Sequence, residues 1–139
     1  MPRTNRSVKP AIVMPLHDPD GLVLPHVETS IPSLRDVFSQ AFLGITQRTR
    51  ETETARITWL EADDFFCVVS TDSNALIGEQ LLALYTRAAD TCVHNQVLHL
   101  CYPDRVAFAL HGGYKSQFLA DIQAVTDEET PLLFQRSEA

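Results

Sequence analysis

The sequence predicts an α/β fold with three layers, in which helices cover both faces of a doubly wound, mostly parallel sheet of about five strands. Three observations predict it. Short apolar runs alternate with stretches whose apolar residues recur at helical spacing, the order that builds parallel sheets through crossover helices. Two of the runs, AIVMPL (Ala11–Leu16) and FFCVVS (Phe65–Ser70), are apolar at nearly every position, as strands covered on both faces are, whereas a half-exposed antiparallel strand would alternate. Apolar runs also break at their carboxyl ends into loops carrying His17, Asp18 and Asp20 in one case and Tyr102, Pro103, Asp104 and Arg105 in another. In a parallel sheet both loops open on one edge, where open α/β sheets hold their ligands.

Ala11–Leu16 reads as a buried strand, ended by the Pro, Asp and Gly content of His17–Gly21. After a long loop, Ser30 or Thr29 can cap a helix with Pro32 in its first turn, with Leu34, Val37, Phe38 and Ala41 on one face and an end near Gln40. Ala41–Thr46 is the second strand, and the polar run Gln47–Thr52 leads to a helix around Thr54–Ala62 with Ile57 and Leu60 inward. Phe65–Ser70 is the third strand. A loop with Asp72, Ser73 and Asn74 follows, and then a helical stripe of Leu81, Leu82, Tyr85, Ala88, Ala89 and Cys92 from about Gly78. Gln96–Cys101 is the fourth strand, followed by a turn at Tyr102–Asp104 and a short helical segment, Val106–Leu110, that Gly112 and Gly113 break. Tyr114, Phe118, Ile122 and Val125 recur at helical spacing, and Pro131–Gln135 reads as a fifth strand. The sheet is thus Rossmann-like in its expected order.

At 139 residues the chain is expected to form a single α/β domain over residues 11–136, with loose ends at 1–10 and 137–139. It ends soon after the fifth strand, which points to the amino-terminal part of a longer protein or to a core completed by homo-oligomer formation. A net charge of −7 with 11 scattered Lys and Arg residues disfavours a nucleic-acid partner. No apolar run reaches the length of a membrane span and no signal-peptide core follows the basic amino terminus, so a cytoplasmic location is expected. The three cysteines, Cys67, Cys92 and Cys101, are odd in number and set among apolar residues, which suits reduced thiols.

Only five glycines are present, and neither a GxGxxG nor a GxxxxGK[ST] loop occurs, so a classical dinucleotide domain or P-loop is not expected. No GxSxG elbow supports a hydrolase, and a small hydrolase using His17 and Asp18 would have no partnered nucleophile. Asp104, just past a buried strand, can hold Mg²⁺ or Mn²⁺ on a diphosphate, with Arg105 meeting a phosphate; it can equally cap the following helix. His17, Asp18 and Asp20 can hold a base, a ribose or a metal, yet Asp-Pro-Asp-Gly is also a tight surface turn. His26 can simply contact the loop, and Asp72 shares the expected ligand edge. Cys92, His94, His99 and Cys101 fit no standard zinc spacing, although His99 and Cys101 would share a strand face. His111, beside Gly112 and Gly113, reads as a surface histidine.

PLHDPDG after the first strand and VLHLCYPDR after the fourth together resemble the nucleotide-binding half of GT-A glycosyltransferases, the nucleotide-diphospho-sugar transferase fold. The resemblance covers most of Ala11–Arg136 in element order and rests on these two motifs. It implies that His17 and Asp18 contact the nucleotide, that Asp72 makes a second contact, and that a divalent cation sits on the sugar-nucleotide diphosphate at Asp104. Tyr102, Pro103 and Asp104 occupy the position of the family's DxD triplet, with Tyr102 in place of the first Asp. The acceptor-binding and catalytic-base half of such enzymes has no counterpart in this length, so turnover by these residues alone is not expected, and no catalytic residue is named. The contrasting expectation is a noncatalytic α/β interaction module that forms a homo-oligomer.

Overall fold

The computed structural model describes residues 9–72, 76–92, 96–111 and 113–127, in which strands and helices alternate. They are β1 (Ala11–Leu16), α1 (Leu24–Val37), β2 (Gln40–Thr46), α2 (Gln47–Thr52), α3 (Thr54–Glu61), β3 (Phe66–Thr71), α4 (Ile77–Thr91), β4 (Leu98–Leu100), α5 (Pro103–His111) and α6 (Lys115–Asp127). The four strands form one sheet in the order β3-β2-β1-β4, and every pairing is parallel. The fifth strand expected at Pro131–Gln135 lies outside the described residues, as does the Val125 side chain.

Connectivity explains the layers. The chain steps from β1 to β2 to β3 in one direction, then reverses and returns across the sheet to place β4 on the far side of β1. Right-handed crossovers put helices on opposite faces when the direction of travel reverses. Ile12, Met14 and Leu16 of β1 accordingly pack with Leu24, Val27 and Leu34 of α1, Ile57 and Leu60 of α3, Val106 and Leu110 of α5 and Ile122 of α6. The intervening Ala11 and Val13 join Phe42 under Leu84 and Ala88 of α4 on the other face. The period of two along β1, with apolar residues on both faces, is what its unbroken apolar run encodes. Gly44 lets α4 approach, because a Cβ there would lie 2.9 Å from Leu84 Cδ1.

β1 and β4 part before the carboxyl end of β1. β4 pairs with β1 only along Ala11–Val13, whereas β2 follows β1 to Leu16. Ala11 N–H donates to Val97 O (2.9 Å) and Cys101 N–H to Val13 O (3.0 Å), so the odd residues of β1 turn their main-chain groups toward β4. The next odd residue is Pro15, which has no N–H to offer. Pro15 is tolerated in a central strand because the neighbour on that side has already left.

Several boundaries differ from the sequence reading. β3 shifts to Phe66–Thr71, β4 shortens to Leu98–Leu100, and α1 ends at Val37 rather than near Gln40, which leaves Ala41 in β2. Three helix starts differ as well. α1 begins at Leu24 rather than behind a Ser30 or Thr29 cap, because Pro25 pre-sets the first turn and the Asp18 carboxylate takes the amides at its start. Ser30 and Thr29 instead donate their hydroxyls back to His26 O, and Pro32 lies inside the helix. α5 begins at Pro103, three residues before Val106, for the same reason of a proline at a helix start. The polar run Gln47–Thr52 is a helical turn of its own, α2.

Candidate functional site

The reversal in strand order lies between β1 and β4, and in open α/β sheets the crevice at the carboxyl ends of such a pair is the ligand-binding position. The two loops singled out in the sequence follow these adjacent strands: His17–Gly21 follows β1 and Tyr102–Arg105 follows β4, and both run on into helices of the same face, α1 and α5.

On the β1 side, Asp18-Pro19-Asp20-Gly21 closes a turn through Gly21 N–H to Asp18 O (3.0 Å), with proline second and glycine last. Gly21 has φ +66°, and the Glu53 carboxylate occupies the place where a Cβ would project, so no other residue fits without displacing it. Asp18 is 5% exposed. Its Oδ1 accepts from Leu22 N–H and its Oδ2 from Val23 and Leu24 N–H, each at 2.9 Å, so this carboxylate shapes the loop and starts α1. Its own N–H donates to Thr49 Oγ1 at 2.8 Å. His17 is exposed, and its Nδ1 lies 2.7 Å from Thr46 Oγ1, which in turn lies 2.8 Å from Thr49 Oγ1. Asp20 is exposed at the turn.

On the β4 side, Asp104 and Arg105 lie exposed in the first turn of α5. Asp104 is the second residue of α5 and so lies inside the helix rather than at the cap position expected of it; its Oδ1 accepts the adjacent Arg105 N–H at 2.9 Å, and Oδ2 has no partner among the described residues. Asp104 lines a cleft of 370 Å³ between α1 and α5, together with Val23, His26, Ala107, Phe108 and His111. Ser30 is 1% exposed and spends its hydroxyl hydrogen on His26 O (2.7 Å), so His111 Nε2 is the donor to Ser30 Oγ across 3.1 Å. Phe108 is 63% exposed at this cleft and stacks on Tyr114, ring centroids 5.6 Å apart.

Asp72 follows β3 on the same edge of the sheet and lines a separate cleft of 420 Å³ with Gln47, Ser70 and Thr71. The Thr71 hydroxyl is buried there without a hydrogen-bond partner among the described residues. Three strand intervals separate β3 from β4, roughly 14 Å at the usual spacing. The five residues chosen from the sequence therefore share one edge, but only His17, Asp18, Asp104 and Arg105 follow the adjacent strands β1 and β4.

The perturbed groups serve the scaffold. Asp63, at the amino end of β3 and so on the opposite edge, is held below its ordinary pKa by the Phe65 N–H and by Arg35. Burial lowers the pKa of His99, whose Nε2 donates to Thr126 Oγ1 (3.1 Å) because that hydroxyl donates to Ile122 O. Burial pushes the Cys101 thiol up to about 11. His99 and Cys101 do share a face, the one packed with α1 and α6, whereas Cys92 packs with α4 on the other, and His94 lies outside the described residues. That separation removes the zinc grouping. Among the described residues, no group of three or more His, Cys, Asp and Glu side chains is placed to hold a metal ion. No helix among them is long and apolar enough to cross a membrane.

The sequence reading did not single out Thr46 and Thr49, which tie His17 and Asp18 to β2 and α2. Their signal is a threonine ending a buried strand with a second one three residues on, the spacing of one helical turn. Phe108 was likewise read only as part of an apolar helix. No protein-family model, curated protein or solved structure matches the chain.

Proposed function

We propose that this chain is the nucleotide-sugar-binding part of a glycosyltransferase-like protein of the GT-A kind. The observation that supports the reading is the strand order, which reverses between β1 and β4, the two strands that the motif loops follow. In this reading His17 meets the nucleotide, the Asp18 turn gives the pocket its shape, Arg105 meets a phosphate, and Asp72 touches the far end of an extended ligand. A Mg²⁺ or Mn²⁺ ion would have Oδ2 of Asp104, unpartnered among the described residues, as its protein ligand and would take its remaining ligands from phosphate oxygens and water, as such ions commonly do. Bound there it would neutralise the diphosphate leaving group. The protein's part is to orient the diphosphate against a preformed edge.

The test is thermal stabilisation by UDP, GDP and their sugars with and without Mn²⁺, on wild type and Asp104→Ala. The reading expects a metal-dependent rise in Tm for one base that Asp104→Ala abolishes, and a flat panel removes it.

One observation favours a second reading, a noncatalytic module that forms a homo-oligomer. Leu76, Ile77 and Leu82 at α4 are exposed, as are Leu100 and Tyr102 at the end of β4. That reading expects a concentration-dependent dimer by analytical ultracentrifugation and no stabilisation by nucleotides.

A further inference from the structure

The buried hydroxyls behind His17 decide which of its nitrogens carries the proton. Thr46 is 1% exposed and Thr49 is fully buried, so neither hydroxyl hydrogen can be given to solvent. Thr49 Oγ1 already accepts the Asp18 N–H at 2.8 Å, and its one remaining partner among the described residues is Thr46 Oγ1 at 2.8 Å. The Thr49 hydrogen therefore points at Thr46, and the Thr46 hydrogen points on to His17 Nδ1 at 2.7 Å. The reverse arrangement, with a proton on Nδ1, would send the Thr46 hydrogen to Thr49 and leave the Thr49 hydrogen buried without an acceptor, an expensive state. Nδ1 thus accepts, and Nε2, the other ring nitrogen of this exposed residue, bears the hydrogen.

We infer that Thr46 and Thr49 are positioning residues that hold His17 as the Nε2–H tautomer, so that His17 meets its ligand as a hydrogen-bond donor to an acceptor oxygen. The ligand half of this inference rests on the nucleotide reading above and names the oxygen's source, a nucleoside diphosphate. Neither a metal ion nor a transferable proton can be taken up at Nε2 in this tautomer, which separates the role of His17 from that of Asp104.

The tautomer is read directly from the long-range ¹⁵N–¹H correlations of the imidazole in the ligand-free protein. Wild type is expected to show a protonated Nε2 and a bare Nδ1 at neutral pH. Thr46→Val is expected to give mixed tautomers, and Thr46→Ser to restore the wild-type pattern. A protonated Nδ1 in wild type, or an unchanged spectrum in Thr46→Val, overturns the relay. For the ligand half, UDP affinity in the presence of Mg²⁺ is expected to fall about fivefold in His17→Phe, the worth of one neutral hydrogen bond, about twofold in Thr46→Val, where roughly half of the rings keep the Nε2–H, and to stay at the wild-type level in Thr46→Ser. Equal affinity in all four proteins overturns the donor role. If wild type binds no UDP, the nucleotide reading and the ligand half fall together, while the imidazole spectrum still decides the relay.

Discussion

Nδ1 of His17 lies 2.7 Å from Oγ1 of Thr46, a bond that joins the first residue past β1 to the last residue of β2. Thr46 and Thr49 extend it to the Asp18 amide, so the loop after β1 is anchored at both His17 and Asp18 before it reaches α1. A loop held this way offers a preformed wall to a ligand rather than one that must be ordered on binding.

Asp18 is the residue on which that wall depends most. Its carboxylate satisfies three amides at the entrance to α1. Asp18→Ala should cost about 2 kcal/mol or more in urea denaturation, the upper range for a lost helix cap, and Asp18→Asn about half of that. A loss below about 0.5 kcal/mol in Asp18→Ala, the level of an ordinary surface change, would contradict the arrangement.

The contact between Gly44 and Leu84 sets how closely α4 lies on the sheet. Gly44→Ala should destabilise by about 1–3 kcal/mol through overpacking. Combined with Leu84→Ala, which opens space at the same point, its cost should shrink, and strict additivity of the two would show that they do not touch.

His99 gives stability a pH dependence. Its folded-state pKa lies below its ordinary 6.5, so between the two values the unfolded chain binds the proton first. Its contribution is complete above about pH 6.5 and is lost as pH falls toward the lowered value. Asp63 acts in a separate window: its stabilisation is present above 3.8 and disappears as pH falls through its depressed pKa. Tm measured from pH 8 to 3, with His99→Gln and Asp63→Asn, should show the first variant flattening the fall just below 6.5 and the second the fall below 3.8. Unchanged slopes would contradict both assignments.

Much of this architecture was legible because its signals are local. The unbroken apolar run at Ala11–Leu16 announced a covered strand, whereas FFCVVS is buried only at Phe65 and Phe66 because β3 has β2 on one side alone among the described residues. Helical spacing announced α4 but misplaced its buried face: Leu82, Tyr85 and Ala89 are exposed, and Gln80, Leu84 and Ala88 face inward. The start of α1 was not legible, because its cap is Asp18, six residues before Leu24, and reaches back over a turn that looks self-contained in sequence. The edge shared by His17, Asp72 and Asp104 could be expected from parallel strands alone. Their grouping could not, because the order β3-β2-β1-β4 depends on tertiary crossovers, and it sets Asp72 apart from the crevice. Thr46 and Thr49 were invisible for a similar reason: each reads as an ordinary threonine until β2 and α2 are placed beside β1.

Cys101 offers a check on the sheet face beneath α6. With its thiol pushed up to about 11 by burial, it should react with iodoacetamide far more slowly than an unfolded cysteine at pH 8, and at the ordinary rate in urea. Fast native labelling at Cys101, located by peptide mass spectrometry, would mean that this face is open.

The proposed function places a nucleoside diphosphate with its divalent ion beside the loops that follow β1 and β4. Titrating ¹⁵N-labelled protein with UDP and with GDP in the presence of Mg²⁺, then exchanging Mg²⁺ for paramagnetic Mn²⁺, tests it most directly. The account predicts amide shifts confined to His17–Leu24 and Tyr102–Arg105 and Mn²⁺ broadening centred on Asp104. Shifts centred on the exposed face of α4, or none with either nucleotide, would contradict it.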